Sequence, residues 1–218
     1  MKINLLLVTT LLIMILPQCE PVKESLELPI LGRDQIVEKE VDGEIVYDTI
    51  QHRIADFGFL DQDSTLITNE TFAGQVYVAD FFFTSCPTIC PVMKREMLRV
   101  YEAFENEPEL AILSHTIDPK HDDVKTLRAF AENLGIKSDK WHFVTGDKDD
   151  IFELAETSYY IVANEDLAAP GGIVHSGAFL LIDKKGRIRG VYDGTIPEQV
   201  DLLMKDINKL IKKNDAPK

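Results

Sequence analysis

Two cysteines, Cys86 and Cys90, stand four positions apart between an apolar run and a segment of helical pattern. A thiol at the start of a helix lies near the positive end of the helix dipole, which favours the thiolate. Residues four apart also share one helix face. The pair can therefore close a disulfide or bind a soft metal ion, with Cys86 expected to be the more acidic thiol. Burial as two small apolar side chains is the alternative, which the flanking Pro87 and Pro91 disfavour.

Hydrophobic patterns predict the elements that must position these thiols. Gln75–Phe83 is almost wholly apolar, as a buried central strand is. Apolar residues recur at helical spacing after it, which predicts a helix over Cys86–Glu107. The other predicted elements are strands over Glu44–Ile50, Thr65–Thr68, Leu110–Ile117, Trp141–Val144, Ala178–Asp183 and Arg187–Tyr192, and helices over Asp122–Leu134, Asp149–Glu156 and Pro197–Lys212.

The order of these elements indicates the fold class. Helices between successive strands imply crossover connections and a partly parallel sheet covered on both faces. The turn Lys184–Gly186 joins the last two strands as a hairpin. Asp42-Gly43 predicts a turn between two short edge strands near the N-terminus. We therefore predict an α/β, thioredoxin-like fold: a central mixed sheet flanked by helices, with N-terminal edge strands and a C-terminal β-hairpin plus helix.

Composition limits the functional classes. The chain has 218 residues, 45% of them hydrophobic, which indicates one globular domain with a packed core. Its 37 acidic against 23 basic residues give a formal net charge of −14, which disfavours binding to nucleic acid. Three cysteines are too few for a small domain held together by disulfides. We expect a monomer.

The N-terminus has the pattern of an export signal. The apolar run Leu5–Leu16 follows Lys2 and is too short to span a bilayer, which takes about 20 residues. Cys19 stands where bacterial lipoprotein signals place their lipidated cysteine, although Gln18 replaces the small residue preferred before it. We predict a signal peptide at 1–18, a membrane tether at 19–43 and the folded domain at 44–218, lipid-anchored at the extracytoplasmic (periplasmic) face of the cell envelope. A transmembrane anchor is the alternative.

The cysteine segment Phe83–Pro91, with the sequence FTSCPTICP, resembles the motif of the SCO/SenC family of copper chaperones, which serve cytochrome c oxidase assembly. Val174-His175-Ser176, ahead of Phe179–Asp183, resembles the family's histidine motif. The resemblance runs from about Tyr47 to the C-terminus. Further segments that resemble the family are Ile117–Pro119 with Asp122-Asp123, and Trp141 with Gly146.

The resemblance implies one copper per chain, as Cu(I) or Cu(II), bound by Cys86, Cys90 and His175. Thiolates select Cu(I), and an added imidazole suits Cu(II) as well. The chain departs from the family at Val174, where an aspartate is common before the histidine. An acid that orients the imidazole is then missing, which predicts altered Cu(II) affinity or redox behaviour.

Several other side chains are candidates for roles at this site. Asp80 stands six residues before Cys86, where thioredoxins also have an acid, and it can accept a proton from the thiols. The alternative, an acid paired with a neighbouring donor, stays open. Met93 and Met97 are soft ligands, but their helical spacing favours core packing. The weaker candidates for the third ligand are the remaining histidines: His52, His115, His121 and His142.

The sequence thus predicts a copper metallochaperone rather than an enzyme with turnover. The resemblance implies delivery from a copper donor protein to the binuclear copper centre of cytochrome c oxidase subunit II, or to another copper acceptor. One alternative is a thiol-disulfide oxidoreductase that uses Cys86 and Cys90 to reduce cysteines of an exported partner, and another is a redox or metal sensor. The Cys-x-x-x-Cys spacing, and the lack of a proline within Val174–Ile182, favour copper binding over disulfide exchange of the thioredoxin type.

Overall fold

The computed structural model describes residues 27–136, 139–165 and 173–212. These ranges contain eleven β-strands and four α-helices. The strands are β1 (Gln35–Val41), β2 (Glu44–Ile50), β3 (Gly58–Asp61), β4 (Leu66–Thr68), β5 (Val76–Phe82), β6 (Leu110–Thr116), β7 (Trp141–Thr145), β8 (Ala163–Glu165), β9 (Ile173–His175), β10 (Ala178–Ile182) and β11 (Ile188–Asp193). The helices are α1 (Cys90–Ala103), α2 (Val124–Leu134), α3 (Lys148–Glu153) and α4 (Pro197–Lys212), with a 3₁₀ turn at Asn69–Phe72 and a π-helical turn at Leu154–Ser158.

Seven strands form one mixed sheet in the order β11-β10-β5-β6-β7-β3-β4. The central strands β5, β6 and β7 are parallel, and the strands on either side of them are antiparallel. The predicted α/β class, with its mixed sheet and C-terminal hairpin plus helix, is confirmed. Strand β3 was not predicted, because four residues of mixed polarity carry too little periodicity to be recognised.

The central strands lie in the interior of the domain. Every residue of β5 and of β6 is buried, which explains why these segments are apolar without alternation. Phe82 of β5 packs against Phe130 of α2, whereas Phe81 packs against Tyr159 on the opposite face. The two faces of the sheet are thus covered by different elements. The cysteine segment leaves β5 at its carboxyl end, where ligands collect in open α/β sheets.

Helix α2 has well-defined ends. The Asp123 carboxylate caps its N-terminus by accepting a hydrogen bond from Thr126 N at 2.7 Å. Gly135 ends the helix in the left-handed conformation, with φ of 67°, directly after the predicted last residue Leu134. The helix was predicted to begin at Asp122, but Asp123 is the cap and Asp122 lies outside the helix.

Strand β11 holds the chain that precedes β1. The Arg189 guanidinium donates hydrogen bonds to the carbonyl groups of Leu28 and Pro29, and Leu31 N donates to Ile188 O at 2.8 Å. Asp183 in turn accepts from Arg189 at 2.9 Å. Burial opposes the ionised Asp183 carboxylate, but its arginine hydrogen bonds outweigh burial and lower its pKa.

Strands β1 and β2 form a separate two-stranded hairpin, closed at Asp42-Gly43. Most of its side chains are exposed, Ile36 at 72% and Tyr47 at 69%. Strand β1 lies inside segment 19–43, which was predicted to be a tether. This part of the segment forms a strand because β2 supplies its pairing partner across the turn. In the described ranges, no helix has the length and apolarity needed to cross a bilayer. The predicted signal peptide and Cys19 lie outside the described residues.

Candidate metal centre

Helix α1 begins at Cys90, not at Cys86 as the sequence predicts. Pro91 is the reason, because proline has no N–H to donate and is tolerated only in the first turn of a helix. A helix starting at Cys86 would place Pro91 in its interior. The residues from Phe83 to Ile89 therefore form a turn between β5 and α1, and the helix-dipole argument for an acidic Cys86 does not apply.

The turn nevertheless brings the two thiols together. Cys86 and Cys90 are thiols that no disulfide joins, 7% and 9% exposed, and their side chains hydrogen-bond each other. Cys86 Sγ lies 3.6 Å from Thr88 Oγ1, and Cys86 N donates to Phe83 O at 3.3 Å. The burial expected for two small apolar side chains is present, but so is the sulfur–sulfur contact that disulfide formation or metal binding needs.

The two thiols are not electrostatically equivalent. Burial is the main cause that raises the pKa of the Cys90 thiol, and the hydrogen bond with Cys86 and the charge of Asp80 add to it. A hydrogen bond with the backbone of Phe83 partly opposes this shift. Cys90 therefore holds its proton at neutral pH although it stands at the start of α1. That Cys86 is the more acidic thiol stays a prediction.

A hydrogen-bonded chain of three buried side chains lies beneath the thiols. Trp141 Nε1 donates to Ser114 Oγ at 2.9 Å, and Ser114 Oγ donates to Asp80 Oδ1. These side chains and both cysteines line a cavity of about 70 Å³. The described pairing of Asp80 with Ser114 matches the alternative in which the acid binds a neighbouring donor. A role for Asp80 as proton acceptor stays a prediction.

Met93 and Met97 line the same cavity from α1. Their exposed fractions are 2% and 1%, and both belong to the hydrophobic core. Core packing, which their helical spacing favours, is therefore what the structure shows for them.

A second buried carboxylate, Asp122, contacts the turn that carries the cysteines. Its oxygens accept hydrogen bonds from Thr84 N at 3.0 Å, from Thr84 Oγ1 and from Thr116 Oγ1 at 2.6 Å. Sequence reasoning assigned Asp122 to a helix start and missed this contact. No local pattern carries that signal, because Asp122 and Thr84 meet only when β5 and β6 pair.

Three of the four weaker histidine candidates have polar partners elsewhere. The ring of His52 bonds Ser158 O at 2.8 Å and Tyr160 Oη at 3.1 Å. His121 Nδ1 contacts the Asp118 carboxylate, and His142 Nδ1 contacts Asp61 at 3.1 Å. Each of these pairings accounts for its histidine without a metal.

His115 lies on the sheet face opposite to Asp80. It is fully buried, its ring stacks on Phe81 at 4.9 Å, and aromatic rings meet its edges. Neither ring nitrogen has a hydrogen-bond partner among the described residues. Burial lowers the pKa of His115 to about 3, so the imidazole is neutral at physiological pH.

The structure places the backbone of His175 in strand β9, opposite Ala163 of β8. The chain continues into β10, which runs antiparallel to β5 and therefore begins at the edge of the sheet where β5 ends. A Cβ methyl group added at Gly177 would stand 3.8 Å from Cδ1 of Ile89. Ile89 lies between the two cysteines in the sequence. The segment after His175 thus passes beside the cysteine turn.

The position of the His175 side chain lies outside what the structure describes. Among the side chains that it does describe, no group of three or more histidines, cysteines, aspartates or glutamates is arranged to hold a metal ion. The described part of the candidate centre is therefore the thiol pair, and the assignment of His175 as third ligand stays a prediction.

Comparison with known proteins agrees with this architecture. The SCO1/SenC family model matches residues 47–212. The SCO1 protein homolog of Bacillus subtilis is 30% identical over 170 residues, which cover 76% of this chain and 86% of that protein.

Two solved structures are similar in both sequence and fold. A SCO1/SenC family lipoprotein from Bacillus anthracis is 26% identical, with a TM-score of 0.68 over 73% of this chain and 95% of that one. BsSco, a member of the Sco family of cytochrome c oxidase assembly proteins in which a disulfide switch was identified, is 29% identical, with a TM-score of 0.64 over 73% and 93%. The thioredoxin-like fold predicted from the sequence is thereby confirmed.

Proposed function

Because this chain belongs to the SCO1/SenC family, we propose that it is a copper metallochaperone that binds one copper ion through Cys86, Cys90 and His175. It receives the ion from a copper donor protein and delivers it to the binuclear copper centre of cytochrome c oxidase subunit II. The observation that carries the proposal is the contact between two thiols at the start of α1.

The donor chemistry of this pair suits copper. Two thiolates are soft ligands that select Cu(I), and they must lose their protons on binding. Cys90 has a raised pKa because it is buried beside Cys86 and Asp80. The positive charge of the metal replaces the proton there, so copper binding releases protons and weakens as the pH falls.

His175 completes the proposed ligand set. The antiparallel pairing of β10 with β5 and the proximity of Gly177 to Ile89 support a ligand from this segment. An imidazole extends the set to Cu(II), so that one site serves both oxidation states. Val174 supplies no carboxylate to orient the ring, and binding of Cu(II) is expected to be the step that this departure affects.

Thiol-disulfide exchange is the second candidate function. It is favoured by the observation that Cys86 and Cys90 are in contact as thiols not joined by a disulfide, with Asp80 near enough to affect Cys90 electrostatically. In this role the pair would reduce cysteines of an exported acceptor, such as the same oxidase subunit before it receives copper. The two roles are compatible, since a disulfide must be reduced before its sulfurs bind copper.

We also propose that Cys19 carries the lipid that holds the domain at the extracytoplasmic face of the membrane. A cell fractionation of Cys19→Ser tests this, with Cys86→Ser as the control that loses a different cysteine. Release of the Cys19 variant alone from the membrane fraction supports the anchor. Retention of both variants contradicts it.

An anaerobic Cu(I) titration of the reduced domain against a competing chelator tests the main proposal. We expect one tightly bound ion per chain, lost in Cys86→Ser and in Cys90→Ser and weakened in His175→Ala. His121→Ala is the matched control, because His121 is exposed and already bonded to Asp118. Weak binding by the wild type would reject the copper function and leave disulfide exchange. Equal binding by the two histidine variants would remove His175 from the ligand set.

A further inference from the structure

We propose that Asp122 is a positioning residue for the thiol pair: it holds Thr84 and thereby fixes the turn that keeps Cys86 and Cys90 in contact in the reduced protein. The proposal concerns the geometry of the two thiols and extends the proposed function. It applies whether the pair binds copper or exchanges disulfides.

The Asp122 carboxylate is an unusual feature of the interior. It is fully buried, and the side-chain hydrogen bonds described for it come from neutral groups of Thr84 and Thr116. A buried charge of this kind is unfavourable unless hydrogen bonds compensate it. Thr84 supplies two of its three side-chain hydrogen bonds, through both backbone and hydroxyl, and Thr116 supplies the third. The stability of the buried charge therefore depends mainly on the cysteine turn being in place.

The carboxylate is itself held independently of the cysteines. Asp122 N donates to Asp118 O at 2.9 Å, and Asp118 N donates to Thr116 Oγ1 at 3.1 Å. The next residue, Asp123, caps α2. The connection between β6 and α2 is thus a fixed support, from which Asp122 reaches across to the turn after β5.

Thr84 transmits this support to both sulfurs. It follows Phe83, whose carbonyl accepts from Cys86 N and whose backbone also hydrogen-bonds Cys90. The regular pairing of β5 with β6 ends at Phe82, where Ile117 N donates to Phe82 O at 2.9 Å. The Thr84–Asp122 contact continues the connection beyond the last pair of the ladder. Without it, the turn loses its hydrogen bonds to the connection between β6 and α2.

Loss of this contact should affect the dithiol more than the disulfide. In the dithiol the turn is held by hydrogen bonds, whereas a bond between the two sulfurs holds it covalently. Oxidation joins Cys86 Sγ to Cys90 Sγ and releases two protons and two electrons, which reduce oxidised dithiothreitol to its dithiol. Variants that lose the contact are therefore expected to shift this equilibrium toward the protein disulfide.

The experiment equilibrates the domain with mixtures of reduced and oxidised dithiothreitol and measures the fraction of disulfide. Thr84→Val keeps the shape of the side chain but removes the hydroxyl donor, whereas Thr84→Ser keeps the hydroxyl donor. We expect Thr84→Val and Asp122→Ala each to shift the equilibrium constant toward the disulfide by about tenfold, which is about 30 mV for a two-electron couple. Thr84→Ser should stay within about twofold of the wild type. Asp123→Ala is the matched control, because it loses the α2 cap without touching the turn.

Two outcomes would overturn the proposal. One is an equilibrium within twofold of the wild type for Thr84→Val and for Asp122→Ala. The other is an equal shift in Asp123→Ala, which would indicate a general loss of structure. Cu(I) affinity, measured on the same variants, should fall about 10- to 100-fold with loss of the contact, as is typical when a residue that orients a metal ligand is removed. If the wild type binds no copper, the copper function fails while the redox equilibrium still decides the role of Asp122.

Discussion

Ser114 donates a hydrogen bond to Asp80 across the parallel strands β5 and β6, where the two residues are direct register partners. The pairing fixes the carboxylate beneath the cysteines, and Trp141 fixes Ser114 in turn. The acid is therefore held at a set place from which its charge acts on Cys90.

Asp80→Asn should make Cys90 more reactive. Burial is the largest cause of the raised Cys90 pKa, but the charge of Asp80 adds to it, so its removal lowers that pKa. We expect faster alkylation by iodoacetamide at a fixed pH, measured in a Cys86→Ser background so that Cys90 alone reacts. Asp63→Asn, which changes a more exposed aspartate, is the control. A slower rate in Asp80→Asn would instead indicate that the carboxylate takes the proton.

His115 should make the fold sensitive to acid. Its pKa is about 3 in the folded protein because of burial, against about 6.5 in an unfolded chain. As the pH falls, the unfolded chain therefore binds the proton first. The free energy of unfolding is unaffected by this group above about pH 6.5, and below that pH it falls by about 1.4 kcal/mol per pH unit. Urea unfolding of the wild type and of His115→Leu at several pH values measures how steeply the free energy of unfolding of each protein depends on pH. His121→Gln should keep the wild-type slope, and equal slopes for wild type and His115→Leu would contradict the prediction.

Asp183→Asn should destabilise the domain strongly. Asp183 accepts hydrogen bonds from Arg187 and Arg189, and Arg189 is 7% exposed. Removing one partner of a buried ion pair leaves the other charge uncompensated, which typically costs about 3 kcal/mol or more. Asp48→Asn is the control, because its pair with Lys39 is exposed and should contribute little. Chemical denaturation of the wild type and of both variants measures the loss of stability. Equal midpoints for Asp183→Asn and Asp48→Asn would contradict the prediction.

The β1–β2 hairpin should open locally while the sheet stays closed. An isolated two-stranded hairpin is marginally stable in water, and local opening exposes its amides to exchange. We expect the amides of β1 and β2 to exchange with deuterium orders of magnitude faster than those of β10 and β11. The latter pair is also an antiparallel hairpin, but it is joined to β5 in the sheet. Similar protection of both hairpins would show that β1 and β2 are covered in solution.

The sequence was sufficient for the elements with strong local patterns. The apolar run before Cys86 predicts the buried strand β5, and Pro197 predicts the first residue of α4. The two thiols do meet, although a turn brings them together and not the shared helix face that their spacing predicts. Helix α1 began later than predicted because a proline overrides hydrophobic periodicity, and Pro91 was a signal present in the sequence.

The contacts that orient the site were less accessible to sequence reasoning. Asp80 of β5 binds Ser114 of β6, 34 residues away, and Asp122 of the loop after β6 binds Thr84 of the cysteine turn, 38 residues away. Such pairs depend on strand register, which no single segment encodes. The same holds for His115, a weaker candidate for the third ligand, because the aromatic rings that enclose it come from Phe57, Phe81 and Tyr159, which are distant in the sequence.

If Cys19 carries the proposed lipid, the hydrogen bonds from Arg189 to Leu28 and Pro29 limit how far the domain can stand from the membrane. A tether ending at residue 43 would leave 24 peptide steps after Cys19, whereas attachment at Leu28 leaves nine, which extend to roughly 30 Å at most. If Cys19 carries the lipid, the domain stays within a few nanometres of the bilayer and pivots about the β11 edge of its sheet. A copper acceptor of the proposed kind would then have to present its own site close to the membrane surface.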